Sequence, residues 1–238
     1  MNAKVLGGKA IYGASIGILM LDARFPRVPG DMGNAITWPF PVLYRVVRKA
    51  TPDLVVRQGA IGMLDAFIEA GRDLVRDGAD GITTNCGFLS LFQHELSEAL
   101  QVPVATSSLM QVELVNRLLP PGKRAAILTI SASTLTPRHL AAAGVPEATP
   151  IGSTEGGCEF TRAILGNELE LDVDLARQDN IEAALALCAN HPDIGAIVLE
   201  CTNMVPYAAD IRAATGVPVF SIETFISWFQ ASLTPRRY

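Results

Sequence analysis

Residues 81–88 read Gly81-Ile82-Thr83-Thr84-Asn85-Cys86-Gly87-Phe88, and 115 positions further on residues 196–203 read Ala196-Ile197-Val198-Leu199-Glu200-Cys201-Thr202-Asn203. Each stretch is a short β-branched or apolar run that closes on a cysteine and passes into a segment of helical period. The match extends without a gap. Phe92 falls on Tyr207, Glu95 on Asp210, Leu96 on Ile211, and Val102-Pro103-Val104 on Val217-Pro218-Val219. A constant offset through strand, cysteine, helix and second strand marks an internal duplication.

Outward from these two stretches the same alternation continues. Strands are predicted at 15–21, 81–84 and 102–105, with helices at 61–77 and 88–100. Within 61–77, Ile61, Leu64, Phe67, Ile68, Leu74 and Val75 share one helix face, which should cover a sheet. The second half gives strands at 125–130, 196–199 and 217–220, helices at 174–190 and 204–215, and a closing helix. A looser match, at an offset of 111, sets residues 16–27 on 127–138. Short runs alternating with helices specify parallel βαβ units. The predicted fold is therefore α/β, with two pseudo-symmetric lobes of parallel sheet flanked by helices. The first lobe is assigned to 1–106 plus 221–238 and the second to 107–220. Ligands of parallel α/β sheets bind beyond the carboxyl ends of the strands. Both cysteines stand there, so two facing lobes would bring them to one cleft.

Composition narrows the function classes. Nearly half of the 238 residues are apolar and only 18% are charged, as a compact fold with a buried sheet requires. The net charge is -5 and no basic run occurs, which removes the electrostatic footprint of a nucleic-acid binder. Lys4 and Lys9 precede an apolar run at 10–21 and so imitate a signal peptide. The run is too short to span a bilayer, and Asp22, Arg24 and a Pro-rich loop follow in place of a cleavage site. A buried strand and a cytoplasmic, non-membrane protein are expected. The four cysteines, Cys86, Cys158, Cys188 and Cys201, show neither metal-ligand nor disulfide-framework spacing. No metal is expected, and a reducing compartment fits.

Two opposed thiols suit proton transfer at a carbon next to a carboxylate, one abstracting while the other donates. Free cysteine titrates near about 8.5, so one thiol must be made more acidic. A helix N-terminus directly after each cysteine offers backbone amides and partial positive charge for that purpose, and the same amides can hold a carboxylate.

These residues resemble the aspartate/glutamate racemase superfamily, which includes hydantoin racemases, maleate cis-trans isomerases and arylmalonate decarboxylases. The resemblance covers most of the chain. Its strongest element is Glu200-Cys201-Thr202-Asn203-Met204-Val205-Pro206-Tyr207, similar to the second-lobe motif of Cys-Thr, a polar residue and Pro-Tyr. The first-lobe element departs from the usual Cys-Asn-Thr order, because Asn85 precedes Cys86. Residues 127–134, I-L-T-I-S-A-S-T, look like the strand that opens the second lobe and ends in small hydroxyl residues. The resemblance implies Cys86 and Cys201 as the acid/base pair. It offers Asn85, Gly87, Ser131, Ser133, Thr134, Thr202 and Asn203 as substrate-binding residues. Arg24, or Arg27, in the loop after the first strand is a candidate partner for a substrate carboxylate.

The remaining polar residues have plainer assignments. Cys188 continues a helical face with Ile181, Ala184 and Leu185 and is expected to be core. Cys158 follows Gly156-Gly157 and is read as structural. His94, His139 and His191 are expected at the surface or as caps. Glu200 either tunes the neighbouring thiol or sits at the strand end bonding to backbone, and the second is favoured because a strand neighbour points to the opposite face. No cofactor is expected, since no G-x-G-x-x-G follows a strand. The expected activity is cofactor-independent racemisation or epimerisation of a small carboxylate compound. The alternatives are cis-trans isomerisation of an unsaturated diacid and non-catalytic binding of a small acid. The resemblance allows a homodimer, for which the sequence shows no interface.

Overall fold

The computed structural model describes residues 7–236, so Lys4 and the outermost residues of the first-lobe assignment lie outside it. The first lobe runs β1 (Ile16–Leu21), β2 (Val42–Val47), α1 (Pro52–Val56), α2 (Leu64–Asp77), β3 (Gly81–Thr84), α3 (Gln93–Leu100) and β4 (Val104–Ala105). The second runs α4 (Val112–Leu118), β5 (Arg124–Thr129), α5 (Pro137–Ala142), β6 (Ile151–Ser153), α6 (Phe160–Leu165), α7 (Val173–Asn190), β7 (Ile194–Leu199), α8 (Ala208–Thr215) and β8 (Val219–Phe220). The last helix is α9 (Ile222–Leu233). Each lobe holds a four-stranded parallel sheet, ordered β2-β1-β3-β4 and β6-β5-β7-β8. This is the α/β architecture with two lobes that the duplication predicted.

Register tests the two offsets. Ile82 pairs with Val104 and Ile197 with Val219, so the 115-residue offset holds for both members of each pair. The looser offset of 111 is corrected. Leu19 faces Thr84 and Leu128 faces Leu199, which relates β1 to β5 by 109. A shift of two residues leaves every side chain on the same face, so the hydrophobic pattern cannot expose the error.

β1, Ile-Gly-Ile-Leu-Met-Leu, is buried along its whole length, as a central parallel strand covered on both faces must be. The sequence pattern missed β2 and β6, each pairing parallel to the first strand of its lobe. β6 is three residues long, too short to show a period. The same reason hides α1 and α4, of five and seven residues, whereas the helix expected around His139 is α5 and the helix start expected near Cys158 is that of α6. The helices expected at 88–100 and 204–215 are each split into a 3-10 turn, Gly87–Phe92 or Thr202–Tyr207, followed by α3 or α8.

The main core joins the two lobes and includes both Cys86 and Cys201. α9, begun by a Ser221/Thr224 capping box, packs Ile222, Ile226 and Phe229 on Ile16, Ile18 and Met20 of the first sheet. Among the described residues no helix is long and apolar enough to cross a membrane.

α2 stops at Gly78, whose amide bonds to the Leu74 carbonyl at 3.0 Å and whose φ is 144°. The Ile11 carbonyl occupies the space a Cβ would take. Gly78→Ala is expected to cost about 2 kcal/mol of unfolding free energy through backbone strain and this collision. Urea unfolding measures it, and an unchanged midpoint would contradict the account.

Candidate active site

β3 and β7 end at Thr84 and Leu199, and two residues later each chain reaches a cysteine in extended conformation. Cys86 and Cys201 are the residues that precede the two 3-10 turns, and neither thiol is used in a cap. Both line one narrow cleft between the lobes, along with Asn85, Gly87, Glu200, Thr202 and Asn203. Its apolar walls include Leu21, Phe25, Val56, Phe88, Ile130 and Ile164. The cysteines are 8% and 7% exposed, so a bound molecule would meet thiols largely shielded from water.

Hydrogen bonds fix the two motifs to each other. The Thr202 hydroxyl donates to the Asn85 carbonyl at 2.7 Å, and the Leu21 amide donates to Asn85 Oδ1 at 2.7 Å. The Cys201 thiol donates to Asn203 Oδ1 at 3.6 Å, and Asn203 Nδ2 donates to Asp31 Oδ2 at 2.5 Å. Asp31 is buried and also accepts from Arg27 at 2.8 Å and the Gly33 amide at 2.7 Å. Arg27 lies over the Phe25 ring with 4.7 Å to its centroid.

Electrostatics set the resting protonation state. Burial pushes the Cys86 thiol far up, and the Glu200 carboxylate adds to the rise. The Phe88 and Leu89 amides and Arg27 pull the other way without offsetting it. Cys201 is pushed up by burial and Glu200 in the same way, with the Asn203 amide opposing, and Cys86 and Asp31 raise it further. Both thiols therefore rest protonated. Glu200, fully buried, is pushed up to about 7 by desolvation against the Thr129 hydroxyl and Ile130 amide. Its Oε2 accepts from Thr129 at 2.7 Å, and its Oε1 has no hydrogen-bond partner.

The structure gathers Asn85, Gly87, Thr202 and Asn203 around the cysteines and leaves the other sequence candidates elsewhere. Arg24 is exposed and holds Asn167 through its backbone amide at 2.6 Å, whereas Arg27, paired with Asp31, is the arginine whose charge favours the Cys86 thiolate. Ser131, Ser133 and Thr134 form a carboxylate cradle, but its occupant is Glu155 of the same chain. Ser131 donates to Glu155 Oε1 at 2.7 Å, Ser133 donates to it too, and the Ala132 and Ser133 amides donate to Oε2 at 3.0 and 3.2 Å. Thr134 donates to Ser131 at 2.8 Å. Burial alone would raise Glu155, yet the Ser133 and Ser131 hydrogen bonds hold it down at about 2.

Glu200 lines the cleft and acts on both thiols, the role the sequence ranked second, while also receiving the Ile130 amide. Alternation of side chains holds only within a strand, and β7 ends at Leu199. Asp31 carried no signal beyond being an acid in a Pro/Gly-rich loop. His139 is a cap as expected, with its Nδ1 accepting from the Thr136 amide at 3.1 Å, but it is buried and pushed down to about 4 by desolvation. Its ring meets Phe88 edge-on at 5.0 Å. Cys158 is exposed at the surface, and Cys188 is partly buried against the core.

No family model matches the sequence. Among proteins of described activity, the chain is 32% identical over 228 residues to a dimethylsulfoniopropionate lyase of Durusdinium sp. clade D, covering 91% of this chain and 75% of that one. It is 31% identical over 233 residues to dimethylsulfoniopropionate lyase 7 of Emiliania huxleyi, covering 92% and 67%. Its fold matches unliganded arylmalonate decarboxylase at 18% identity, with a TM-score of 0.57 and 94% of each chain covered. It also matches a glutamate racemase of Bacillus anthracis at 16% identity, TM-score 0.60, covering 93% of this chain and 83% of that one. The aspartate racemase of Picrophilus torridus matches at 13% identity, TM-score 0.56, covering 94% and 96%.

Proposed function

The chain belongs to the family of these dimethylsulfoniopropionate lyases and shares the fold of glutamate and aspartate racemases, and from that premise we propose that it is a cofactor-independent carbon-acid enzyme of the aspartate/glutamate racemase superfamily acting by elimination. The observation that carries the proposal is the meeting of Cys86, Cys201 and Glu200 in one apolar cleft. The proposed substrate is dimethylsulfoniopropionate or a close relative, a propionate whose β-carbon bears a positively charged leaving group. One thiolate takes the proton from the carbon next to the carboxylate, so a C–H bond breaks and an S–H bond forms. The electron pair becomes the new carbon-carbon double bond, and the β-carbon–sulfur bond breaks with its pair kept by the departing sulfur. The products are acrylate, neutral dimethyl sulfide and the proton on the thiol, which solvent removes.

The 3-10 turns after the cysteines supply amides for the carboxylate end and for the thiolate. The apolar walls exclude water, which strengthens every charge interaction inside. Incubation with dimethylsulfoniopropionate is expected to release equimolar dimethyl sulfide, read by headspace gas chromatography, and acrylate, read by NMR. Absence of both products under conditions where the protein is folded would overturn the lyase proposal.

Racemisation or epimerisation is the second proposal, favoured by the two thiols coming from duplicated motifs on opposite lobes. In deuterated water it would place deuterium at the α-carbon of an amino acid or hydroxy acid with no dimethyl sulfide released. A thioether adduct with maleate would instead mark cis-trans isomerisation. Binding of a small acid with no turnover of any of these compounds would mark a non-catalytic binding protein.

A further inference from the structure

Glu200 is the most unusual group in the cleft. It is 0% exposed, and among the described residues it has no ion-pair partner. One of its oxygens is satisfied by Thr129, while the other is buried without a hydrogen-bond partner. A Cβ on Gly87 would collide with that free oxygen, so the absence of a side chain at Gly87 is what lets the carboxylate lie against the first-lobe motif. Arg27, the cation whose charge acts on Cys86, is already paired with Asp31. A carboxylate built into a dry cleft without a cation is costly unless it is neutral or a charge arrives from outside.

We infer that Glu200 is the anionic seat for the cationic end of the substrate, so that the site selects carboxylates carrying an onium group. This rests on the elimination chemistry proposed above and adds to it the residue that recognises the leaving group. The walls around Glu200 match such a group in character, because a methylated onium presents an apolar surface with a spread positive charge. Phe88 and Ile130 supply apolar contact, and an aromatic ring is attractive to a cation. The arriving charge has a second consequence. Glu200 opposes ionisation of both thiols in the empty site, and an onium group beside it cancels that opposition. The substrate then helps to create the thiolate that attacks it. An unsaturated diacid would bring more negative charge to the same place and is disfavoured.

The test compares two non-sulfonium probes by isothermal titration. One is β-alanine betaine, the trimethylammonium propionate. The other is the acid in which a quaternary carbon replaces its nitrogen, equal in shape and lacking the charge. The wild-type protein is expected to prefer the betaine by at least about tenfold, as a desolvated charge pair would give. Glu200→Gln keeps the volume and a partner for Thr129, and should bring the ratio to about one while leaving affinity for the uncharged acid nearly unchanged. Glu200→Asp keeps the charge and should retain a preference, so the inference stays testable if the glutamine variant does not fold. Equal binding of the two probes by the wild type, or an unchanged ratio in Glu200→Gln, overturns it. Dimethyl sulfide release with an unchanged ratio would sink this inference and leave the lyase proposal standing. A Glu200-dependent betaine preference without dimethyl sulfide release would do the reverse.

Discussion

Cys86→Ser is expected to lower kcat/KM for dimethyl sulfide release by at least about 10³-fold, and Cys201→Ser by about 10²-fold, with both variants folded. Serine keeps the shape, but its hydroxyl is a far weaker acid than a thiol. The inequality comes from the surroundings of the two sulfurs. Cys86 has two turn amides, from Phe88 and Leu89, and the Arg27 charge favouring its thiolate. Cys201 has one amide, from Asn203, and is burdened by Cys86 and Asp31 as well as by Glu200. On these surroundings Cys86 is proposed as the base, with Cys201 steadying the carboxylate end as a thiol. An elimination needs one abstraction and no proton returned to the opposite face, so unequal losses suit it. A racemase that works in both directions would lose comparably with either substitution. Steady-state kinetics of the two variants decide the point, and losses below tenfold in both would remove the thiols from the mechanism.

Glu200→Gln is expected to flatten the pH dependence of stability by about 3 kcal/mol between pH 4.5 and 7. The folded-state value of Glu200 is raised from 4.5 to about 7, so the native state holds a proton that the unfolded chain releases. Stability from this group is fully present below about 4.5 and is lost as pH rises through about 7. Above that pH the buried carboxylate is ionised with the Thr129 hydrogen bond but without an ion-pair partner. The glutamine variant never carries the charge, so it should gain on the wild type as pH rises and exceed it at pH 8. Urea unfolding of both proteins at pH 5 and pH 8 measures the difference. Parallel behaviour at the two pH values would mean that Glu200 enters the fold as readily charged as neutral.

How much of this was legible depended on whether a feature was local and periodic. The duplicated motif fixed the register of β3 with β4 and of β7 with β8 because it carried the same sequence twice at one spacing. β1 and β5 lack such a marker, and a slip of two residues went unseen there because it preserves sidedness. The hydroxyls of Ser131, Ser133 and Thr134 were suited to a carboxylate in kind. What the sequence did not reveal is that Glu155, arriving through the next strand and turn, occupies that cradle.

By itself the sequence determined two parallel α/β lobes and put a cysteine at the end of one strand in each, before a turn of helix. Those are properties of hydrophobic period and repeat spacing, which any stretch of chain carries with it. Only the tertiary structure decided what surrounds the cysteines. Asn203 meets Asp31 across a separation of 172 residues, and Glu200 leaves the alternation of its strand to lie against Gly87. Side chains brought together by the packing of two lobes leave no pattern in either segment alone. That packing is what gave the two thiols different surroundings.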